Sequence, residues 1–354
     1  MKTFKTIRSI SLTILVSAFS VLALYFATNH LERQAGNFLR LYPPHPLELM
    51  GKKDLGSDAY YLAGTSADRI YLGNSRGALK LLVCDYNLHD TIPYHLQLEG
   101  GEHLLFTSPR VYVDSPFFYF WDGTLPAIYK GAIAQRRAHA VKGLTAYFTQ
   151  CLPLSDSSYA LRSVRVSSNG YELAKMNPEK DSLRFASGAL QKQGDGFFSV
   201  DGSFLYDKGL NRLLYVYYYR NQFICLDTAL NVLYRANTID TFSTANMQVT
   251  RLQRTNAVVL SSPPHVINRK SAAWKNYLFV HSGVSAQNEN KKVFDRSSVI
   301  DVYTIKDHLY RFSFYLPAYG GQKLQDFMVD EGRVVALYCQ FLFSYQINPR
   351  YLKD

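Results

Sequence analysis

The stretch RIYLGNSRGALKLLVCDYNL, residues 69–88, decides the fold class. Two apolar runs rich in Leu, Val, Ile and Tyr flank a short polar turn at residues 74–77, and Asp85 follows the second run. Such runs, bounded by Gly, Asn and Asp, are typical of β-strands joined in a hairpin. The carboxylate of an Asp in this place can accept backbone N–H groups of the following turn. The stretch therefore predicts two neighbouring strands and a turn toward a third.

The same pattern recurs, more loosely, along the rest of the chain. Five further stretches share an apolar strand, a polar turn and a second apolar strand: 117–133, 159–183, 212–233, 277–309 and 333–352. Their spacing of roughly 50 residues is what four-stranded propeller blades require. Because one blade cannot bury both its faces, blades must stack around an axis. The sequence predicts an all-β, six-bladed β-propeller, with a seven-bladed ring or a pair of β-sandwiches as alternatives.

A resemblance to a known group supports this interpretation. The stretches IYLGNSRGALKLLVCDYNL (70–88) and FLYDKGLNRLLYVYYYRNQFICLDTALNVL (204–233), with the six-fold spacing, resemble the six-bladed propellers of the TolB-like group. That group includes exported bacterial members with an N-terminal anchor. The resemblance implies a propeller over residues 58–350. The dipeptides of WD40 repeats and the glycine doublet of kelch repeats are absent.

Composition agrees with a strand-rich domain. Aromatic residues make up 14% of the chain, with 27 Tyr and 22 Phe, and planar side chains pack well on pleated sheets. The net charge is +11, but the Lys and Arg residues are scattered and no run of five occurs. We therefore expect a generally basic surface, weakly attracted to anionic lipid, and no nucleic-acid partner.

Residues 10–28, ISLTILVSAFSVLALYFAT, contain no charged side chain. A helix of that length just spans a hydrocarbon core of about 30 Å. Because Lys2, Lys5 and Arg8 precede it, residues 1–9 should lie in the cytoplasm and the bulk of the chain in the periplasm or outside the cell. The segment predicts a single-pass transmembrane anchor. A cleaved signal peptide is the alternative, although its apolar region is typically shorter.

The rest of the chain divides into two parts. Pro43, Pro44 and Pro46 force an extended path, so residues 29–57 are predicted to form a stalk and residues 58–354 the propeller domain. The four cysteines show no CxxC spacing. Cys84, Cys225 and Cys339 lie in apolar runs and are expected to be small buried hydrophobes, with a single disulfide as the alternative.

The turns between second and third strands form one face of a propeller, the face at which propellers usually bind their ligands. These turns predict a polar ligand-binding set, to which we add His265 because it lies in a proline-stiffened loop beside two serines: Asn74, Arg76, Asp122, Asn169, Asn221, His265 and His281. A Ser–His pair needs an orienting carboxylate, and no GxSxG motif is present. No His pair has metal-ligand spacing, and no nucleotide or haem motif occurs. The sequence therefore predicts no catalytic residue, no metal and no cofactor.

These observations favour a binding module over an enzyme. The predicted function is a membrane-anchored, extracytoplasmic propeller that binds or scaffolds a protein or peptide, with a small-molecule ligand also open. The long polar loop 282–298 is a candidate partner contact. The alternative is a propeller hydrolase or lyase with an axial, metal-assisted site built from Asn74, Asp122, Asn169 and Asn221.

Overall fold

The computed structural model describes residues 2–31, 36–101, 104–143, 146–252 and 258–353. Helix α1 runs from Lys2 to Leu31 and strand β1 from Leu47 to Asp54. The other long strands group into antiparallel units of four, paired in chain order, and the first two of these units are joined in one nine-stranded sheet. Unit 1 contains β2 (Tyr60–Thr65), β3 (Ile70–Asn74), β4 (Lys80–Cys84) and β5 (Thr91–His95). Strand β6 (Gln97–Glu99) lies between units 1 and 2 in sequence.

The following units repeat this plan. Unit 2 contains β7 (Arg110–Asp114), β8 (Phe117–Asp122), β9 (Ala127–Ala132) and β10 (Arg137–Ala140), the last of which pairs in parallel with β6. Unit 3 contains β11 (Phe148–Ser155), β12 (Ser158–Arg165), β13 (Gly170–Asn177) and β14 (Ser182–Phe185). Unit 4 contains β15 (Gly202–Asp207), β16 (Arg212–Tyr217), β17 (Gln222–Leu226) and β18 (Val232–Asn237).

A small hairpin, β19 (Val249–Arg251) and β20 (Val258–Leu260), precedes unit 5. Unit 5 contains β21 (Asn268–Trp274), β22 (Tyr277–Ser282), β23 (Ser297–Thr304) and β24 (Tyr310–Pro317), with helix α2 (Lys291–Asp295) between its middle strands. Unit 6 contains β25 (Asp326–Asp330), β26 (Arg333–Tyr338) and β27 (Phe341–Ile347). Its fourth strand is β1, which pairs antiparallel with β27 from Leu47–Ile347 to Asp54–Phe341.

Apolar side chains fill the space between neighbouring units all the way round. Each of six clusters takes its members from two adjacent units, including the last and the first. Between units 6 and 1, for example, Ile70 and Leu72 pack with Val335 and Leu337, all completely buried. The units thus close into a ring with their sheets stacked face to face. This is a propeller-like, all-β arrangement rather than a pair of sandwiches.

The six hairpins predicted from the repeats are all present as the second and third strands of the six units. These strands are buried on both faces, as β22 shows by being buried at every position. Strands covered on both faces are apolar throughout and do not alternate between apolar and polar residues. They can therefore be recognised in the sequence as continuous apolar runs. The Asp after the third strand also behaves as predicted: Asp85 accepts the backbone N–H of His89 at 3.0 Å, and Asp227 that of Ala229 at 2.9 Å.

The prediction of a stalk over residues 29–57 needs correction. Residues 32–35 lie outside the described residues, but 36–57 belong to the folded domain. The backbone N–H of Ser313 donates to the Leu41 carbonyl at 2.8 Å, and β1 completes unit 6. The domain therefore begins before residue 58. The prolines do impose an extended path, but that path lies along unit 5 instead of leaving the domain.

Helix α1 covers residues 10–28, so a helix there is confirmed. Its side chains at residues 11–25 are exposed. Over the residues that the structure describes, no helix combines the length and apolar character needed to cross a membrane.

All four cysteines are free thiols. Cys84 and Cys225 are buried in β4 and β17, as predicted. Cys339 lies instead in the turn between β26 and β27 and is partly exposed, because the chain reverses there at a positive φ of 50°.

Candidate ligand-binding site

A cavity of about 1000 Å³ lies at the centre of the ring and is called the larger cavity below. Its walls come from the first strand of every unit, at residues 64–65, 112–114, 150–152, 203–206, 270–274 and 326–330. The turns from first to second strand of units 1, 2, 4, 5 and 6 add to the lining, so the cavity lies toward that end of the strands. Its volume is at the upper limit of pockets that hold small molecules.

Four of the lining strands are sheet edges. Strands β11, β15, β21 and β25 each end their sheet, so one side of the strand has no neighbour within it. Gln150 shows how such an edge can be used, because its side-chain amide donates to the Gly202 carbonyl at 2.8 Å and accepts the Phe204 N–H at 2.9 Å. A side chain of β11 thus satisfies backbone groups of β15 that a sheet partner would otherwise satisfy.

Aromatic rings are frequent in the lining. The chain has only two tryptophans, Trp121 and Trp274, and both line the larger cavity, as do four tyrosines: Tyr71, Tyr112, Tyr206 and Tyr218. Within the described part of the chain, the buried Trp121 Nε1 and Ser271 Oγ have no hydrogen-bond partner. Broad rings with a few polar groups between them are typical of binding pockets.

The charges of the larger cavity come in pairs of opposite sign. Lys208 pairs with Asp114, Lys270 with Asp326 at 3.8 Å, and Lys275 with Glu331 at 3.9 Å. Arg69 and Asp68 form a further pair at 3.4 Å. The lining is therefore close to electrically balanced.

Two carboxyl groups of the lining have a raised pKa. Burial raises the pKa of Asp326, although the neighbouring Lys270 partly offsets this effect. Burial also raises the pKa of Asp330, against a hydrogen bond with Thr65. Both shifts have burial of the carboxyl group as their largest cause, since removal of water disfavours the charged form of an acid.

The sequence-predicted residues of units 1 and 2 support local turns. The Asn74 side chain accepts the Arg76 backbone N–H at 2.9 Å, and the exposed Arg76 guanidinium pairs with Asp58 at 2.6 Å. Asp122 is completely buried and accepts the backbone N–H groups of Thr107 at 2.7 Å and Ser108 at 2.8 Å. Burial would raise the pKa of Asp122, but hydrogen bonds, the largest from the Thr124 hydroxyl, lower it overall.

The residues predicted in units 3 and 4 have similar roles. Asn169 has a left-handed φ of 48° and ends the short 3-10 helix Val166–Ser168, a conformation that asparagine tolerates better than most residues. Asn221 is buried, and its side-chain amide donates to the Asp240 carbonyl at 2.5 Å. Both residues thus fix the backbone at turns.

The two predicted histidines lie in or next to unit 5. The ring of His265 contacts Phe242 edge-on, with 5.1 Å between centroids. His281 is buried in β22; burial, followed by the positive charges of Arg269 and Lys323, lowers its pKa to about 3. His281 is therefore neutral at physiological pH, and its Nδ1 has no hydrogen-bond partner among the described residues.

None of the seven predicted residues belongs to the described lining of the larger cavity. In an antiparallel unit the first-to-second turn and the second-to-third turn lie at opposite ends of the second strand. The predicted residues therefore lie at the second-to-third end of the units, whereas most of the cavity lining lies toward the first-to-second end, with Trp121 and Tyr218 lining the cavity from the other end. That the seven residues bind a ligand stays a prediction.

The sequence pattern did not indicate the lining of the larger cavity, because the repeated pattern covers the second and third strands of each unit and the lining comes mainly from the first strands. The first strands carry a usable signal. RKSAAW (269–274) and DFMVD (326–330) place charged residues and aromatic or large apolar residues in short strands directly before the recognised hairpins. Among the described residues, no three His, Cys, Asp or Glu side chains are grouped so as to hold a metal ion.

No protein-family model and no curated protein matches the sequence. Among solved structures, the chain is similar to a member of the DUF4221 family from Bacteroides vulgatus, with a TM-score of 0.49, 13% identity and coverage of 86% of this chain and 99% of that one. It is also similar to BamB from Moraxella catarrhalis, with a TM-score of 0.42, 11% identity and coverage of 85% and 100%. A nidogen/laminin complex matches with a TM-score of 0.43, 9% identity and coverage of 73% and 81%. At such identities the likeness concerns the path of the backbone alone.

Proposed function

We propose that the chain is a six-bladed propeller of the TolB-like kind, held at a membrane by α1, that binds an extended segment of a partner protein in the larger cavity. Each four-stranded unit is one blade, and β1 closes the ring by completing the last blade. A ring closed by strands from both ends of the domain keeps its central cavity in a fixed shape. Such preorganisation lowers the entropic cost of binding.

The edge strands around the larger cavity carry this proposal. An extended peptide can add to an exposed sheet edge through backbone hydrogen bonds, while pockets for alternate side chains provide selectivity. Strands β15, β21 and β25 offer such edges within one cavity. The Gln150 amide already makes bonds of this kind to β15, which supports the ability of an edge to accept an added partner.

The charge pattern favours a peptide over a highly charged ligand. The lysines of the lining are matched by carboxylates, so an anion that binds one of these lysines would have to break an existing pair. A peptide backbone brings both donors and acceptors without net charge. The rings of Tyr112, Tyr206 and Trp274 would cover its side chains.

Membrane attachment is proposed from the exposed apolar side chains of α1. Leu15 is 68% exposed and Phe19 73% exposed, and the other large apolar side chains at residues 11–25 are also exposed. Contiguous apolar surface of this kind marks contact with lipid or protein. The positive charges before residue 10 support an extracytoplasmic location of the ring, in the periplasm or outside the cell.

A peptide selection tests the binding function. The full chain, immobilised in neutral detergent micelles, would be offered a phage-displayed library of random dodecapeptides, and selected peptides would be titrated while tryptophan emission is recorded. Because both tryptophans line the larger cavity, we expect each bound peptide to shift the emission. The Trp121→Phe and Trp274→Phe variants assign the signal to one side of the cavity.

Matched variants decide where the peptide lies. We expect Tyr206→Ala to weaken binding by about tenfold, the effect of losing about 1.4 kcal/mol of ring contact, while Tyr206→Phe keeps most of the affinity. Arg76→Ala, on the opposite end of the ring, should have no effect. Peptides that bind without changing the emission, and that are weakened by Arg76→Ala alone, would contradict the proposal.

A further inference from the structure

A second, smaller pocket of about 430 Å³ lies where residues 41–43 cross unit 5 and is called the smaller pocket below. Its lining combines aromatic, apolar and basic residues: Leu41, Tyr42, Pro43, Tyr310, Arg311, Phe312, Arg350, Tyr351 and Lys353. Three of the nine are cations and none is acidic. The pocket therefore differs from the larger cavity in carrying one sign of charge.

Two of the three cations of the smaller pocket are available to bind an anion. Arg311 and Lys353 are exposed, and neither forms an ion pair within the described residues. The third, Arg350, donates to the Pro44 carbonyl at 2.9 Å and lies over the ring of Tyr351 at 4.6 Å. Arg311 and Lys353 can thus offer their N–H groups to an anion without giving up a carboxylate.

The backbone around the smaller pocket is held in place. The Tyr351 hydroxyl donates to the Pro44 carbonyl at 2.7 Å, and the Leu41 N–H donates to the Tyr310 hydroxyl at 3.0 Å. The ring of Tyr42 stacks on that of Tyr315, 4.6 Å between centroids. The wall formed by residues 41–44 is therefore preorganised.

Beneath this wall, the buried Arg40 forms ion pairs with two carboxylates. The Arg40 guanidinium donates to both carboxylate oxygens of Asp301, at 2.7 and 3.0 Å, and to Glu289 at 2.5 Å. Glu289 also accepts hydrogen bonds from the hydroxyls of Tyr42 and Tyr315. These two acids are therefore engaged below the smaller pocket and do not neutralise its surface cations.

The smaller pocket lies close in sequence to α1. Leu41 lies ten positions after Leu31, where α1 ends, so an extended chain would span at most about 35 Å between them. Large apolar side chains are exposed next to the pocket: Leu39 and Leu41 are each 62% exposed, and Leu309 is 56% exposed. Apolar side chains beside unpaired cations match the interface of a membrane, where acyl chains meet phosphate groups.

We propose that the smaller pocket binds the phosphate of an anionic phospholipid headgroup through Arg311 and Lys353, and so seats the ring on the membrane surface. Charge-assisted hydrogen bonds to phosphate are among the stronger polar contacts. The exposed leucines select lipid over free phosphate because only a lipid brings an apolar part to cover them. The biological setting of this proposal rests on the proposed membrane attachment, but the binding itself does not require α1 to be inserted.

Titration with water-soluble lipids tests the proposal. The full chain in neutral maltoside micelles would be titrated calorimetrically with dihexanoyl-phosphatidylglycerol, dihexanoyl-phosphatidylcholine and inorganic phosphate. We expect saturable binding of the phosphatidylglycerol, weakened at least about tenfold in the Arg311→Gln, Lys353→Gln double variant. The control is Lys80→Gln with Lys180→Gln, which removes the same charge from exposed positions of units 1 and 3 and should leave binding unchanged.

Three results would overturn the proposal. Equal binding of the two lipids would show that the phosphatidylglycerol charge is not recognised. Equal loss in the control variant would assign the binding to overall charge. Inorganic phosphate binding as tightly as phosphatidylglycerol would assign the pocket to free phosphate. Alkaline washing of membranes that contain the double variant reports separately on α1, because an anchored chain stays with the membrane whatever the pocket binds.

Discussion

The larger cavity and the smaller pocket differ in whether their positive charges have carboxylate partners. In the larger cavity each lysine has a carboxylate partner, as Lys270 has Asp326 at 3.8 Å. In the smaller pocket Arg311 and Lys353 face solvent without a carboxylate in the lining. The lysines of the larger cavity are 44–60% exposed, so exposure does not distinguish them from Arg311 and Lys353, and the difference is that the larger cavity supplies carboxylate partners. A cavity with balanced charges suits a ligand without net charge, and an exposed cationic pocket suits an anion.

Among single substitutions, we expect one at Arg40, whose guanidinium binds the buried Asp301 and Glu289, to have the largest effect on stability. Arg40→Met removes the cation that Asp301 and Glu289 share, and the Arg40 and Glu289 side chains are completely buried. We expect the free energy of unfolding to fall by about 3–5 kcal/mol, since two buried carboxylates lose their partner. Urea unfolding of the full chain in micelles measures this change.

The matched control for that substitution is Arg76→Met. The ion pair of Arg76 with Asp58 is largely exposed, so its loss should cost less than about 1 kcal/mol. If Arg40→Met and Arg76→Met had equally small effects, residues 36–46 would not be held on unit 5 by the buried charges.

A pH-dependent effect is expected at Asp240, whose carboxyl group interacts electrostatically with Asp301. Burial raises the pKa of Asp240 to about 6, against hydrogen bonds from Thr238 and Phe242, and the charge of Asp301 adds to the rise. Because the folded-state pKa lies above the ordinary value near 3.9, ionised Asp240 lowers stability above pH 6. This cost disappears as the pH falls from about 6 toward about 4.

Asp240→Asn should therefore raise the free energy of unfolding at pH 7.5 by about 1–3 kcal/mol and have little effect near pH 4. Urea unfolding at both pH values measures the difference. A gain of the same size at both pH values would mean that ionisation of Asp240 is not the cause.

The substitution with the smallest expected effect on stability is Asp326→Asn. It gives the larger cavity an unpaired cation, as in the smaller pocket. Asp326→Asn removes a carboxylate whose pKa is raised by burial and leaves Lys270 unpaired. Since these effects oppose each other, stability should change by less than about 1 kcal/mol. Peptide preference should shift toward acidic sequences by about fivefold, measured by tryptophan emission with one neutral and one acidic peptide. An unchanged preference would place the peptide away from Lys270.

The sequence revealed the parts of the fold whose burial is uniform. Strands β16, β22 and β26 are covered on both faces, so they read as apolar runs wherever they occur. Strand β1, LELMGKKD, has no such signal because its side chains are partly or fully exposed. It becomes a strand through pairing with β27 at the far end of the chain, and no local pattern encodes that contact.

The candidate sites were harder to predict for a related reason. Asn74, Asp122 and Asn169 are polar turn residues, and the structure shows that their hydrogen bonds or backbone conformations hold turns. The larger cavity depends on which first strands meet at the centre, and the smaller pocket on residues 41–43 meeting residues 350–353. Both are products of ring closure, which a single repeat cannot show.

The most direct test of the central claim compares the two ends of the ring in the native membrane. A photo-crosslinking benzoylphenylalanine would replace Tyr206 or Tyr112 in the larger cavity, and Arg76 or Asn169 at the opposite end, each in the intact chain, followed by mass spectrometry. We expect one extended segment of the same partner protein to be crosslinked from Tyr206 and Tyr112 and not from the other two positions. Crosslinks from Arg76 and Asn169, with none from the larger cavity, would contradict this expectation and place the binding face at the second-to-third turns.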